Sequence, residues 1–249
     1  MVSLKSKADI EVMREACKIV GETLNFIGEM VKPGITTKEI SDAAEKFILS
    51  HGGKPSFKNY RGFPAAACVS VNDVVVHGIP NNLKLREGDI VSVDIGALKN
   101  GFHGDAARTF AVGDISDEAK KLIEVTRECF FKGIEKAVPG NRIGDVSSAI
   151  QKYAEGHGYG VVRSLVGHGI GESLHEDPDV PNFGIEGKGL RLRSGMTLAI
   201  EPMINQGTFK VYQEDDGWTI RTADNKLSAH YENTIAILDS GVEVLTLVE

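Results

Sequence analysis

Ile10, Met13, Cys17, Val20, Leu24, Ile27 and Val31 follow one another at spacings of three and four, the period of a single helical face. This pattern predicts an amphipathic helix that stops at Pro33 and Gly34, with Ser6 and Asp9 as its capping box. Thr36, with Glu39 three residues on, opens a second helix that carries Ile40, Ala43, Phe47 and Ile48 inward and ends at Gly52 and Gly53. An irregular, aromatic-rich stretch from Lys54 to Pro64 follows. Then come a strand from Ala65 to Val71 and another ending at Val76 and His77. The runs Ile90 to Val93 and Ala106 to Val112 read as two short strands, joined by the turn signal Lys99, Asn100, Gly101. Helices return from Ser116 to Val138 and from Ile143 to Glu155.

The hairpin carries one aspartate on each strand. Asp94 closes the first run and Asp105 precedes the second. A carboxylate set in an apolar strand loses hydration and needs a donor, a cation or a metal in return. Two on paired strands suggest one shared partner. The plainer alternative is that both cap the turn or pair with Arg108 and Lys99.

The second half of the chain repeats the first. Pro33, Gly34, Ser41, Ala43, Lys46, His51 and Gly52 recur in order as Pro139, Gly140, Ser147, Ala149, Lys152, His157 and Gly158. Leu85, Arg86, Gly88 and Asp94 recur as Leu192, Arg193, Gly195 and Glu201, and His103 with Asp105 recurs as His230 with Glu232. Repeats of about 20–50 residues would mean a solenoid, whereas this much longer period means two fused copies of one α+β unit. The copies span roughly residues 1–113 and 114–249 of one domain. A pseudo-twofold between them would bring Asp94, Asp105, Glu201 and Glu232 together. Four carboxylates cannot ionise side by side without cations between them. Two divalent ions match that charge, so the repeat converts an ambiguous hairpin into half of a dinuclear metal site.

Composition narrows the class without changing this picture. A chain of 249 residues, 41% hydrophobic, has ample material for a packed core. Its net charge of -7, pI near 5.6 and lack of a Lys/Arg cluster argue against nucleic acid as a partner. Cys17, Cys68 and Cys129 are odd in number and far apart, as free thiols of a reducing cytosol are. The N-terminus lacks the apolar run of a signal peptide, and no stretch is long and apolar enough to span a membrane. These features place the protein in the cytoplasm, with no membrane contact.

His168 lies between Gly167 and Gly169, in a segment that continues through Ile170 and Gly171 to His175, Glu176, Asp177 and Pro178. The glycines lack the Gly, Lys, Ser/Thr ending of a phosphate loop. They are expected to let backbone and metal approach closely while His168 supplies an imidazole. With the His77 to Pro80 turn, Asp94, Gly101 to Asp105, Gly167 to Gly171 with His175, Glu201 with Pro202, and Ser228 to Thr234, the chain resembles the type I methionine aminopeptidases. These are members of the pita-bread metallopeptidases, and the resemblance runs over essentially the whole chain.

The resemblance implies a pita-bread fold, α+β, with two pseudo-symmetric halves, a central antiparallel sheet and outer helices. It implies that Asp94 holds a first metal, that Asp105 and Glu232 bridge, and that His168 and Glu201 complete the second. Cobalt, manganese, iron or zinc would suit such a shell. Hydrolysis would proceed by attack of the activated bridging hydroxide on the first peptide carbonyl, with Glu201 as proton shuttle. His175 would steady the tetrahedral oxyanion and His77 would contact the scissile amide, neither binding metal. Tyr60, Phe63, Cys68 and Trp218 stand where the family lines its methionine pocket, with Leu174 at another wall, and soft apolar groups suit a thioether.

The implied substrates are the N-termini of nascent polypeptides with a small second residue, cut by a monomer; a transient ribosome contact would be compatible with that role. His230 and Asn233 depart from the pattern, since bacterial relatives more often carry glutamine and histidine there. Two rivals stand beside this reading. One is a proline-specific aminopeptidase or dipeptidase of the same architecture, which usually carries a further N-terminal domain. The other is a pita-bread binding protein without catalysis, against which the retained ligand types argue.

Overall fold

The computed structural model describes residues 2–248. Its first two helices start where the capping residues predict. Helix α1 (Lys7–Met30) begins at Ser6, whose hydroxyl accepts from the Asp9 amide at 3.2 Å while the Asp9 carboxylate accepts from the Ser6 amide at 2.8 Å. Helix α2 (Thr37–Ser50) repeats the device with Thr36 and Glu39. Each reciprocal pair satisfies amides that have no partner inside the helix. Ile40, Ala44 and Ile48 form the buried stripe of α2. Phe47, expected inside, is only half-buried: it stacks on Phe26 with ring centroids 5.0 Å apart and seals the rim between α1 and α2. Helices α3 (Asp117–Ile134) and α4 (Ile143–Gly156) form the corresponding pair in the second half.

The strands Ile90–Lys99 and Phe102–Ala111 are ten residues each, longer than the short runs expected. Asn100 and Gly101 join them with φ of 51° and 87°, the two left-handed residues that a tight hairpin turn requires. Asp94 therefore does not close its strand. It sits mid-strand opposite Ala107, and Asp105 sits opposite Gly96. The strand runs on because Ile95 and Ala97 continue the buried alternation past the carboxylate. The upstream strand starts at Ala67, two residues later than predicted.

Among the described residues the large sheet has nine strands, seven of them in the order Lys54–Pro55, Ile90–Lys99, Phe102–Ala111, Glu232–Leu238, Thr197–Ile200, Gly167–Gly169 and Glu176–Val180. Ala67–Val71 also pairs with Ile90–Lys99, and Gly241–Val244 with Glu232–Leu238. The two halves meet where Phe102–Ala111 runs antiparallel to Glu232–Leu238, with Ala107 opposite Glu232. Antiparallel pairing of two equivalent strands is what a pseudo-twofold between copies demands. Thr234 clamps this seam, its hydroxyl accepting from the Asp105 amide and donating to the Asp105 carbonyl, both at 2.9 Å.

Side-chain alternation then decides what faces where. Val91, Val93, Ile95 and Ala106 pack with Leu24, Ile27 and Ile40 under α1 and α2. Leu198, Ile200, Ile235 and Ile237 pack with Leu122, Phe130 and Ile150 under α3 and α4. Each fully buried aliphatic side chain contributes roughly 1.5–3 kcal/mol. The four helices thus hold one face of the curled sheet, and the period of two turns Asp94, Asp105 and Glu232 to the other, concave face. A one-residue slip would drive those acids into the apolar core.

A smaller three-stranded sheet hangs over the concave face. It joins Val211–Gln213 and Ile220–Thr222 to Val74–Val76. Trp218 projects from its turn, where the Asp216 carboxylate accepts from the amides of Trp218 and Thr219, each at 2.8 Å. His77 follows directly after Val76 with φ of 58°. Among the described residues no helix is long and apolar enough to cross a membrane.

Candidate metal centre and substrate pocket

The concave face closes on a cavity of about 150 Å³. Asp94, Asp105, His168, Glu201 and Glu232 form its floor, and Tyr60, Phe63, Cys68, His77, Leu174, His175 and Trp218 its walls. Every residue singled out for the site from the sequence is in one place. They arrive from both halves: Asp94 and Asp105 from the hairpin, His168 from Gly167–Gly169, Glu201 just past Thr197–Ile200, and Glu232 from the start of its strand.

The four carboxyl groups share little water. Asp105 and Glu232 are buried, while Asp94 and Glu201 keep an edge on the cavity. Burial pushes the Asp94 carboxyl up from its ordinary 3.8 to about 7. Burial, then the neighbouring acids Asp94 and Glu201, hold Asp105 well above the carboxylate range. Burial and Asp94 do the same for Glu201, and burial with Asp105, Glu201 and Asp94 for Glu232. Asp94 Oδ1 and Asp105 Oδ1 have no hydrogen-bond partner among the described residues. Unpaired oxygens in a nest of crowded acids are what a cation site leaves when its cation is not counted.

His168 reaches this floor through Nε2, 3.9 Å from both Asp105 Oδ2 and Glu201 Oε1. Its Nδ1 lies 2.8 Å from the Gly169 carbonyl. Donation there leaves Nε2 with a free lone pair, the tautomer a metal ligand needs. The flanking glycines allow the close backbone approach expected of them. A Cβ on Gly167 would lie 2.4 Å from the Ala199 carbonyl oxygen, and one on Gly169 2.2 Å from that of Asp177. The glycines let neighbouring backbone close on both sides of His168, and this packing aims the imidazole.

The two unusual neighbours of Glu232 lie on different strands, His230 at the end of Ser228–His230 and Asn233 in Glu232–Leu238. Asn233 faces away from the acids, its Oδ1 accepting from Arg108 at 2.6 Å and from the Thr246 hydroxyl at 2.9 Å. Arg108 also donates to the Glu232 carbonyl at 2.6 Å, so these groups fix the backbone that carries the acid. His230, two residues before Glu232, lies beneath the acids, with Nε2 3.8 Å from Glu201 Oε2 and from Glu232 Oε2. Burial, then His77 and Arg108, hold its imidazole neutral, its pKa lowered to about 3.

The walls are aromatic and apolar. Phe63 meets Trp218 edge-on at 5.2 Å between centroids, and His77 meets the same indole at 6.2 Å. His175 stacks on Tyr60 at 5.3 Å and tilts against His168 at 4.1 Å. Its Nδ1 lies 2.9 Å from the Tyr60 hydroxyl. Loss of water against these rings, with His168 beside it, keeps the His175 ring neutral. Burial likewise keeps Cys68 a thiol, a soft wall and not a nucleophile. Phe57 and Arg61 also line the cavity and were missed in the sequence. Arg61 neighbours Tyr60 in a short turn with φ of 49°, and nothing in its local pattern marks the side that turn presents.

Comparison with known proteins accords with this geometry. The model of metallopeptidase family M24 matches residues 11–239. The chain belongs to metallopeptidase family M24. A methionine aminopeptidase of Clostridium perfringens is 59% identical, with both chains covered completely. Methionine aminopeptidase 1 of Bacillus subtilis is 50% identical, again with both covered completely. The crystal structure of methionine aminopeptidase from Rickettsia prowazekii superposes with a TM-score of 0.98 at 45% identity, covering 99% of this chain and 100% of that one. The α+β pita-bread arrangement is therefore shared with solved relatives.

M24 membership implies divalent metal, and the floor fits it. Asp105, His168 and Glu232 offer ligand atoms all within 4.8 Å of one another, and so do Asp94, His230 and Glu232. Because the acids hold protons until a cation displaces them, metal uptake should release protons. Calorimetry near pH 6, below the value of about 7 to which Asp94 is raised, should report release of about one proton or more per chain in buffers of different ionisation enthalpy. Heat independent of the buffer would contradict the crowded-acid account.

Proposed function

We propose that this protein is a methionine aminopeptidase, which removes the N-terminal methionine from peptides and nascent chains with a small second residue. The observation that carries the reading is a floor of four crowded acids and one aimed imidazole beneath an aromatic cavity of the right polarity for a thioether. Whole-length similarity to proteins named methionine aminopeptidase supports it. Asp94, Asp105 and Glu232 would hold a first divalent ion, and Asp105, Glu232, His168 and Glu201 a second. Both halves contribute ligands, so the whole chain acts as one catalytic domain, as a monomer in the cytoplasm.

Bound divalent ions would supply the positive charge that makes water nucleophilic at neutral pH and polarises the first peptide carbonyl. The chain's own groups do the rest. Glu201, at the cavity edge, takes the proton from the attacking water and returns it to the leaving amine. Tyr60 donates its hydroxyl proton to His175 Nδ1, which leaves Nε2–H to donate to the developing oxyanion. His77, held against Trp218, contacts the scissile amide. Tyr60, Phe63, Cys68, Leu174 and Trp218 enclose the methionine side chain, whose flexible thioether adapts to their surface and gains sulfur–aromatic contact.

A competing substrate pair tests the assignment. Metal-loaded protein should release methionine from Met-Ala-Ser and leave Ala-Pro-Ala intact or nearly so. Faster cleavage of Ala-Pro-Ala would replace this reading with the proline-specific one. Trp218→Ala should raise KM for Met-Ala-Ser by about tenfold, from loss of buried aromatic contact worth roughly 1–2 kcal/mol, with a smaller change in kcat. An unchanged KM would remove Trp218 from the pocket.

A further inference from the structure

We infer that His230 is a metal ligand, the imidazole of the ion held by Asp94, so that each of the two ions carries one nitrogen donor. The inference rests on the dinuclear reading above and adds a residue outside the ligand set assigned there. His230 is 1% exposed, and neither ring nitrogen has a hydrogen-bond partner among the described residues. A buried imidazole left with two idle polar atoms needs an explanation. Its backbone is fully engaged: Thr109 donates its hydroxyl to the His230 carbonyl at 2.9 Å and accepts from the His230 amide at 3.0 Å. The backbone that carries the ring is therefore fixed.

The distances fit a shared cation better than a hydrogen bond. Nε2 lies 3.8 Å from a carboxylate oxygen of Glu201 and 3.8 Å from one of Glu232, too far for N–H···O contact. Donors bound to one ion at about 2.0–2.2 Å are themselves roughly 3–4 Å apart. Asp94, His230 and Glu232 present ligand atoms within 4.8 Å of one another, as do Asp105, His168 and Glu232. Glu232 is common to both groups, so the arrangement is two triads joined at one carboxylate, each with an aspartate and an imidazole.

Two consequences follow. An all-oxygen shell favours manganese or magnesium, whereas an added imidazole moves the Asp94 ion toward zinc, cobalt or iron. His168 has an acceptor for its second nitrogen in Gly169, and His230 has none for Nδ1. The hydrogen-bonded imidazole is the more basic donor, so His168 binds its ion more tightly than His230 binds the other.

Cobalt(II)-loaded protein provides the test, because each coordinated imidazole gives one strongly shifted ring N–H proton resonance. The full-length protein should show two such signals, and His168→Ala should keep one, from His230. His230→Gln should keep only the His168 signal and lose about tenfold or more in zinc affinity at one site relative to manganese. The His168→Ala spectrum keeps the inference testable even where His230→Gln fails to fold. One signal in the parent protein, absent from His168→Ala, would overturn the inference while leaving the dinuclear centre standing. Protein that takes up no cobalt by elemental analysis would overturn the dinuclear reading and the inference with it.

Discussion

Glu201→Gln is expected to lower kcat on Met-Ala-Ser by about 10²–10⁴-fold at saturating metal, the range of a lost general acid–base group. Glutamine keeps the size and shape of the side chain and removes both its charge and its proton exchange. Glu201 suits the role by position: it follows the last residue of Thr197–Ile200 and keeps an edge on the cavity, whereas Asp105 and Glu232 are buried. Its backbone carbonyl is fixed by the Asn182 amide at 2.9 Å, so the substitution leaves the anchor in place. Because the loss is in proton transfer, KM should change far less than kcat. A kcat within about tenfold of the parent protein would transfer the proton role to another group.

Asp105→Asn should weaken binding of both ions, whereas Asp94→Asn should chiefly weaken one. Asp105 lies in the triad with His168 and Glu232, and its Oδ1 is buried without a partner. Removing one buried partner of a charge cluster costs on the order of 3 kcal/mol, roughly 100-fold in affinity. The metal-free proteins should show the opposite order of stability. The Asp105 carboxyl is raised well above 3.8 in the folded chain, so folding favours its protonated form. That contribution is complete below about pH 4 and is lost as pH rises through the raised value. At pH 8 the crowded carboxylates oppose folding, and metal-free Asp105→Asn should melt above the metal-free parent. Equal loss of both ions in the two variants would contradict the bridge, and a lower melting temperature would contradict the crowding.

The parts of the fold that depend on neighbours in sequence were legible in advance. Ser6 with Asp9 and Thr36 with Glu39 mark helix starts because a capping box is closed within one turn. Asn100–Gly101 marks the hairpin because both residues tolerate left-handed backbone. The repeat pointed to Glu201 and Glu232, since duplication copies a site along with a fold. What escaped depends on pairing across distance. Asp94 reads as a strand end until the register opposite Ala107 is known. The glycines around His168 read as sites of close backbone approach, but the partners, the carbonyls of Ala199 and Asp177, are ones that sequence does not bring near. His230 and Asn233 read alike beside Glu232; a strand break at Tyr231, invisible in the sequence, puts them on different strands, with His230 near the acids and Asn233 on Arg108. Phe47, read as inward on α2, sits at the rim instead, where Phe26 of α1 meets it.

The central claim is that Asp94, Asp105, His168, Glu201 and Glu232 work by holding divalent metal above which the peptide is cut. Turnover of Met-Ala-Ser, followed while metal is stripped by a chelator and then restored in counted equivalents, tests it most directly. The account predicts that activity falls to background on stripping and returns with added cobalt or manganese, saturating by about two equivalents per chain. Turnover that survives in protein shown by elemental analysis to be free of metal would contradict it.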